Sequence, residues 1–221
     1  MVLEVIHTIV TRSFQLVAGH PALDLVNTLD WRFRDSGAEE LLNSYEDLLR
    51  FAEQSDVLSQ RQARALRKAD GAAAARALQQ ARDLRESLAQ LIYAMLEHLE
   101  PPVEALLKLD RHLHVAQSHR ALRWSSKGIR SIWPAENDAL LPVWLLAEAT
   151  AALLTSESAG SIRACANAEC RWLFLDLSRN HTRRWCDMKI CGNRTKARRF
   201  REQRSERRSG PARRRNASTI L

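Results

Sequence analysis

Apolar residues recur three and four positions apart through most of the first 155 residues, the spacing that places them on one face of a helix. Asp70 can cap the longest of these stretches, and the Pro101-Pro102 pair ends it. The predicted helices cover residues 21–29, 38–54, 59–68, 70–99, 102–117 and 137–155. The pattern therefore predicts a mainly helical N-terminal domain.

Two stretches depart from the helical period and indicate short β-strands. Residues 13–18 read as a strand that ends at Gly19. Residues 121–134, ALRWSSKGIRSIWP, place apolar side chains on both sides of Lys127-Gly128, which predicts a β-hairpin. The fold class of this domain is therefore mainly α with a few short β-strands (α+β).

A short polar stretch, SESAGS at 156–161, predicts the boundary between two domains. We expect the helical domain to occupy 13–158, as a sensor or dimerisation unit. A second, smaller module is predicted over 161–208, and a flexible basic tail over 209–221.

The charge of the chain changes at the same place. Residues 161–221 contain 17 Lys and Arg against 5 Asp and Glu, whereas residues 1–160 contain 17 against 21. This asymmetry predicts a polyanion-binding module attached to an acidic domain. No stretch approaches the roughly 18 apolar residues that span a bilayer, and the start does not read as a signal peptide, so we expect a cytoplasmic protein.

All four cysteines lie in the basic quarter of the chain, in the spacing C-x4-C, fifteen residues, then C-x4-C. Paired thiols of this kind in an intracellular protein favour a metal over disulfides. Four thiolates fill the tetrahedral shell of Zn²⁺, so the sequence predicts one structural zinc ion per chain. The predicted ligands are Cys165, Cys170, Cys186 and Cys191. Disulfides, or four separately buried thiols, are the alternatives.

The residues between the two cysteine pairs predict the shape of the zinc module. Residues 171–177 and the segment that ends at Trp185-Cys186 can pair as a hairpin with its turn at 178–181, and a helix follows. This order of knuckle, hairpin and helix is the treble-clef arrangement. His181 is a competing metal ligand, a nuclease-type general base, or a polar residue of the turn.

The helix predicted after the last cysteine carries a high density of cations. The candidate nucleic-acid-binding residues are Arg194, Lys196, Arg198, Arg199 and Arg201. Arginine suits bidentate contacts to phosphates and guanine edges, so we expect DNA binding in transcription control. Binding to RNA or the ribosome stays open, because a basic module does not by itself select one polyanion. A purely structural role for Asn193 and Arg194 stays open as well.

The first domain contains one compact group of polar residues, His20, Asp24 and Asn27. These side chains could line a small-molecule pocket, or they could cap and brace the junction at which the first helix begins. A catalytic site at 19–30 would make the protein an enzyme. Residues 1–160 contain no recognisable set of catalytic residues, however, and we expect no enzymatic activity. A homodimer stays open.

Two strings of residues resemble known families. CGNR at 191–194, with the cations that follow and the aromatic residues Trp172 and Phe174, resembles the CGNR zinc-finger family of bacterial proteins. GHPALDLVNTL at 19–29 is similar to the opening motif of the ABATE domain that precedes this finger. The resemblance implies a treble-clef zinc module and a role in stress-responsive transcription regulation. The long Arg-rich extension after Gln203 departs from the pattern.

Overall fold

The computed structural model of the chain describes residues 13–197, 200 and 201. The chain divides into two compact units, Met1–Cys186 and Asp187–Leu221. Within the described part of the first unit, α-helices predominate, and the strands form short antiparallel pairs. The helices are α1 (Pro21–Val26), α2 (Tyr45–Gln54), α3 (Gln60–Leu66), α4 (Gly71–Leu96), α5 (Val103–Ser118) and α6 (Leu141–Leu154). The strands are β1 (Leu29–Asp30), β2 (Glu39–Glu40), β3 (Ala121–Ser125), β4 (Gly128–Ile132), β5 (Ile162–Ala164) and β6 (Leu173–Leu175), which pair as β1–β2, β3–β4 and β5–β6. This architecture confirms the predicted fold class.

Capping residues determine where the helices of the first unit begin. The Ser44 hydroxyl accepts a hydrogen bond from the Asp47 N–H, and the Asp47 carboxylate accepts one from the Ser44 N–H, a capping box that starts α2. A second capping box starts α3, and the Asp70 carboxylate accepts from two N–H groups at the start of α4. The predicted helix over 38–54 is too long at its N-terminus, because Glu39–Glu40 pairs with β1 instead.

The two predicted β-regions have different outcomes. The β3–β4 hairpin is confirmed, with Trp124 opposite Ile129, and Gly128 adopts a left-handed φ of 101° after the turn. The strand predicted over 13–18 is wrong, because these residues belong to no strand. The segment instead runs beside β6, where the Ala18 carbonyl accepts a hydrogen bond from the Leu175 N–H at 2.8 Å.

The core of the first unit surrounds α4. Leu84, Leu88 and Ile92 on α4 are almost completely buried, together with Phe51 from α2 and Trp144 from α6. Burial of such large apolar side chains is the main stabilising contribution to a domain of this kind. No helix in the described ranges is long and apolar enough to cross a membrane.

A buried arginine connects α4 to the segment that follows α1. Arg85 is only 3% exposed, and its guanidinium donates two hydrogen bonds of 2.7 Å to the Glu40 carboxylate. It also donates to the Thr28 hydroxyl at 3.2 Å and to the Glu86 carboxylate at 2.8 Å. A bidentate pair of this geometry compensates for the desolvation of the charge and fixes the position of Thr28 at the end of the N-terminal motif.

Candidate metal centre

The hairpin of the metal module is formed by β5 and β6, in the register that places Ala164 opposite Leu173. Leu173 and Phe174 are completely buried, so the hairpin belongs to the core of the first unit. The predicted pairing of 171–177 with the segment before Cys186 is therefore wrong. β6 pairs with the strand before the first cysteine pair. The later segment belongs to no strand and is held by a hydrogen bond from the Ala166 N–H to the Arg184 carbonyl at 2.8 Å and by the side chains of Asp176 and Arg183.

The first two cysteines stand at the two ends of a knuckle inside this hairpin. The Cys165 N–H donates to the Trp172 carbonyl at 2.8 Å, which extends the ladder by one step. The carbonyl of the buried Asn167 accepts hydrogen bonds from the N–H groups of Cys170 and Arg171, at 3.1 and 2.9 Å. Arg171 has a φ of 47°, in the left-handed region, which turns the chain back into β6.

Arg183 positions the third cysteine. Its guanidinium donates hydrogen bonds to the carbonyls of Val17 at 3.1 Å, of Trp185 at 3.0 Å and of Cys186. The same group lies 4.2 Å from the centre of the Phe174 ring, a cation–π contact. A planar fork with several donors is suited to holding three carbonyls at once. Arg183 therefore connects the N-terminal segment, β6 and the chain around Cys186.

Asp176 organises the turn that precedes Arg183. Its carboxylate accepts hydrogen bonds from the Ser178 hydroxyl at 2.5 Å and from the Arg183 N–H at 3.0 Å. These hydrogen bonds, first of all that from the Ser178 hydroxyl, lower the pKa of Asp176 below its ordinary value. His181 lies in the same turn, where Nδ1 is 2.9 Å from the Asp176 carbonyl. His181 is thus a polar residue of the turn, and within the described residues it is not in the metal cluster.

The fourth cysteine lies in the second unit, in the single π-helical turn Met188–Gly192. The Asp187 side chain accepts hydrogen bonds from two N–H groups of this turn, at 2.6 and 3.0 Å, and so caps the helix. The Cys191 N–H donates to the Asp187 carbonyl at 3.0 Å. The helix continues over 193–197 and at 200–201. Cys191 is therefore held in the first turn of the cationic helix.

The four thiols form one cluster. The sulfur atoms of Cys165, Cys170, Cys186 and Cys191 all lie within 4.8 Å of one another, and all four residues are buried. Cys170 Sγ and Cys186 Sγ are 3.8 Å apart, far longer than the roughly 2.05 Å of a disulfide bond. Two thiolates on a tetrahedral zinc ion with Zn–S bonds of about 2.3 Å stand about 3.8 Å apart. The cluster thus fits a single structural zinc ion, and four sulfur ligands leave no coordination position for a reacting water.

Asn27 joins the N-terminal motif to the zinc hairpin. Its Nδ2 donates to the Leu173 carbonyl at 2.9 Å, and its Oδ1 accepts from the Leu173 N–H at 2.8 Å. The amide thus pairs with β6 in the way that a neighbouring strand would. Asn27 is 4% exposed, so both hydrogen bonds are shielded from water. Sequence reasoning grouped Asn27 with His20 and Asp24 but did not identify this partner, which lies 146 positions away.

His20 and Asp24 also have partners inside the chain. His20 is the N-cap of α1, where Nδ1 accepts from the Ala22 N–H at 3.2 Å, and burial lowers the pKa of His20. The Asp24 carboxylate accepts from the Ala18 N–H at 3.0 Å. Burial raises the pKa of Asp24 to about 6, although backbone hydrogen bonds act in the opposite direction. These contacts brace the start of α1, and a ligand-binding role for His20, Asp24 and Asn27 stays a prediction.

The predicted nucleic-acid-binding residues are described in part. Arg194, Lys196 and Arg201 are exposed on the helix of the second unit. The side chains of Arg198 and Arg199 lie outside the described residues. Sequence reasoning identified this basic segment from its composition alone. It missed Asp176 and Arg183, whose only signal was a pair of opposite charges flanking the turn after an apolar strand.

The fold and the cysteine cluster together define a zinc-finger protein with a helical N-terminal domain. The family model described as a CGNR zinc finger matches residues 161–204. The model of the ABATE domain, described as "Putative stress-induced transcription regulator", matches residues 19–157, more than half of the chain. The chain therefore belongs to the ABATE family and carries a CGNR zinc finger. A comparison with curated proteins finds no match.

Proposed function

We propose that the chain is a DNA-binding transcription regulator, in which the zinc module presents its cationic helix to duplex DNA and the N-terminal domain responds to a signal. One observation carries the proposal. The zinc ligand Cys191 lies in the turn directly before the exposed residues Arg194 and Lys196. A metal bound by Cys191 would thus anchor the first turn of the helix that carries these cations, while Asp187 caps its start.

The chemistry of this helix suits a polyanion. Residues 194–201 carry five Lys and Arg and no acidic residue. In the sequence, Arg194, Arg198 and Arg201 follow the spacing i, i+4 and i+7, which is the spacing of residues that share one side of a continuous helix. A straight row of guanidinium groups can follow a phosphate backbone or enter the major groove. The match to a family described as a transcription regulator supports DNA as the polyanion.

The salt dependence of binding tests the proposal. If all five cations contact phosphates, the slope of log K against log salt for duplex DNA should be about −4.5. The double variant Arg194→Ser/Lys196→Ser should make the slope shallower by about 2, since each lost contact removes about 0.9. The matched control is Arg64→Ser/Arg76→Ser, which removes the same charge from exposed positions on first-unit helices and should leave the slope unchanged.

Other outcomes of this experiment favour other functions. Binding to single-stranded or duplex RNA with no binding to DNA would assign the helix to RNA, through contacts to the 2′-hydroxyl groups. Equal effects of the two double variants would show that affinity follows net charge rather than the helix. An enzymatic function has less support, because the carboxylate of Asp24 and the amide of Asn27 are hydrogen-bonded within the chain.

A further inference from the structure

Helix α5 has an apolar surface on the side that faces solvent. Val103, Leu106 and Leu107 of α5, with Leu99 from the connection between α4 and α5, form this surface, which we call the α5 patch, and the four are 64%, 54%, 51% and 60% exposed. Isolated exposed leucines are ordinary on protein surfaces, but four large apolar side chains within nine residues are not. The patch is therefore a candidate interface.

The core does not explain the patch. α5 already packs on the first unit through the buried residues Ala105, Leu109 and Ala116. An amphipathic surface helix normally carries polar residues opposite its buried face. Val103 and Leu107, four positions apart, instead place a second apolar surface away from that face. A helix with two apolar sides is typical of a helix packed between two partners.

Charged residues beside the patch suggest what the second partner is. Glu104, Lys108 and Arg111 follow the spacing i, i+4 and i+7, so they lie along one flank of α5, and all three are exposed. The acidic residue comes first and the basic residues follow. When two copies of such a helix pack antiparallel about a two-fold axis, the acidic end of each flank lies beside the basic end of the other. The flank is thus complementary to itself.

We propose that the α5 patch binds the same patch of a second copy of this chain, with the two α5 helices antiparallel and crossing near Leu107. Glu104 of each copy then lies opposite Arg111 of the other. α5 has 16 residues and is about 24 Å long, which is sufficient for several turns of helix packing. Beside it, a groove of about 200 Å³ lined by Leu106 and Leu113 offers room for an apolar side chain of the partner. This inference goes beyond the proposed function and does not depend on DNA binding.

The mass of the zinc-loaded full chain in solution tests the inference. Sedimentation velocity over a range of concentrations should give twice the chain mass, with a measurable dissociation constant. Leu107→Glu should raise that constant by at least about thirty-fold, because it places a charge at the centre of an apolar interface. The control Leu122→Glu changes an equally apolar and more exposed residue, in β3, and should leave the constant unchanged.

Charge reversal provides a test that does not depend on the packing of Leu107. Glu104→Arg and Arg111→Glu should each weaken the dimer about tenfold, because two like-charged pairs form per dimer. Mixing these two variants should restore association, since the introduced arginine of one variant then lies opposite the introduced glutamate of the other. A general loss of folding cannot produce such a rescue.

Three results would overturn the inference. One is a wild-type chain that stays monomeric at concentrations of about 100 μM, where even a weak interface of standard size should associate. Another is dissociation by Leu122→Glu but not by Leu107→Glu, which would place the interface on the β3–β4 hairpin. The third is a pair of charge variants that associate no better when mixed than alone.

Discussion

Replacing Asn27 by alanine removes both hydrogen bonds between the N-terminal motif and β6. The Leu173 N–H and carbonyl would then be buried without the partners that now lie at 2.8 and 2.9 Å. A buried backbone group left unsatisfied costs about 1–3 kcal/mol, so the two groups together should lower the free energy of unfolding by about 2–6 kcal/mol. This is a large part of the roughly 5–15 kcal/mol that stabilises a typical domain. Asn27→Asp should be at least as damaging, because it keeps the acceptor but replaces the donor with a buried charge.

Urea unfolding of the zinc-loaded chain, followed by circular dichroism, measures the effect. The control Asn180→Ala changes an exposed asparagine of the zinc module and should alter stability by less than about 0.5 kcal/mol. Transfer of zinc to a chromogenic chelator should also be faster in Asn27→Ala, because β6 lies between the second and third cysteines. If the free energy of unfolding of Asn27→Ala lies within about 0.5 kcal/mol of wild type, the amide does not hold β6 and our account of the N-terminal motif is incorrect.

Three further predictions concern the zinc site, the protonation of Asp24 and the hydrogen bonds that Arg183 donates to backbone carbonyls. Elemental analysis should find one zinc ion per wild-type chain and almost none in Cys191→Ser. The second unit of this variant should lose its helix, since structural zinc contributes on the order of 10 kcal/mol to folding of small modules. A zinc-loaded Cys191→Ser chain would contradict the four-cysteine site. Burial raises the pKa of Asp24 from 3.8 to about 6, so the carboxyl group of Asp24 binds a proton more tightly in the native chain than in the unfolded chain. The free energy of unfolding should therefore fall as pH rises from about 4 to about 6. The free energy of unfolding should fall by about 3 kcal/mol over this range in the wild type, and Asp24→Asn should lack this decrease. Urea unfolding at a series of pH values measures both, and the same pH dependence in the two proteins would contradict the prediction. Arg183→Lys should lower the free energy of unfolding by about 2–4 kcal/mol, because an ammonium group cannot reproduce the planar guanidinium that binds three carbonyls. The control Arg179→Lys, at an exposed position, should leave the free energy of unfolding unchanged.

Features set by local chemistry were predictable from the sequence. The helices follow from their apolar spacing, and the β3–β4 hairpin from Lys127-Gly128 between two apolar stretches. The zinc ligands were predictable because thiol pairs in a chain with no other cysteine indicate a metal site whatever the surrounding fold. In each case the signal lies in the same stretch of sequence as the structure that it specifies.

Features set by distant contacts were not predictable. Residues 13–18 have the composition of a strand, but their position is fixed by β6, which lies far along the chain. β6 could pair with either of two neighbouring segments, and nothing in its own sequence selects β5. The role of Arg183 depends on the carbonyl of Val17, 166 positions away, as well as on the nearby carbonyls of Trp185 and Cys186. The division of the chain into the domains 13–158 and 161–208 stays a prediction, and the contacts of Asn27 and Arg183 cross that boundary.

The pairing of Asn27 with Leu173 also has a consequence for the order of events during synthesis. The two residues are 146 positions apart, and a ribosome adding about 5–20 residues per second needs roughly 7–30 s to make the intervening chain. During that interval the amide of Asn27 has been synthesised, but the Leu173 N–H and carbonyl that it binds have not. Asn27 therefore cannot form its two hydrogen bonds until β6 has been synthesised, so this connection between the N-terminal motif and the zinc hairpin is made after translation of most of the helical domain.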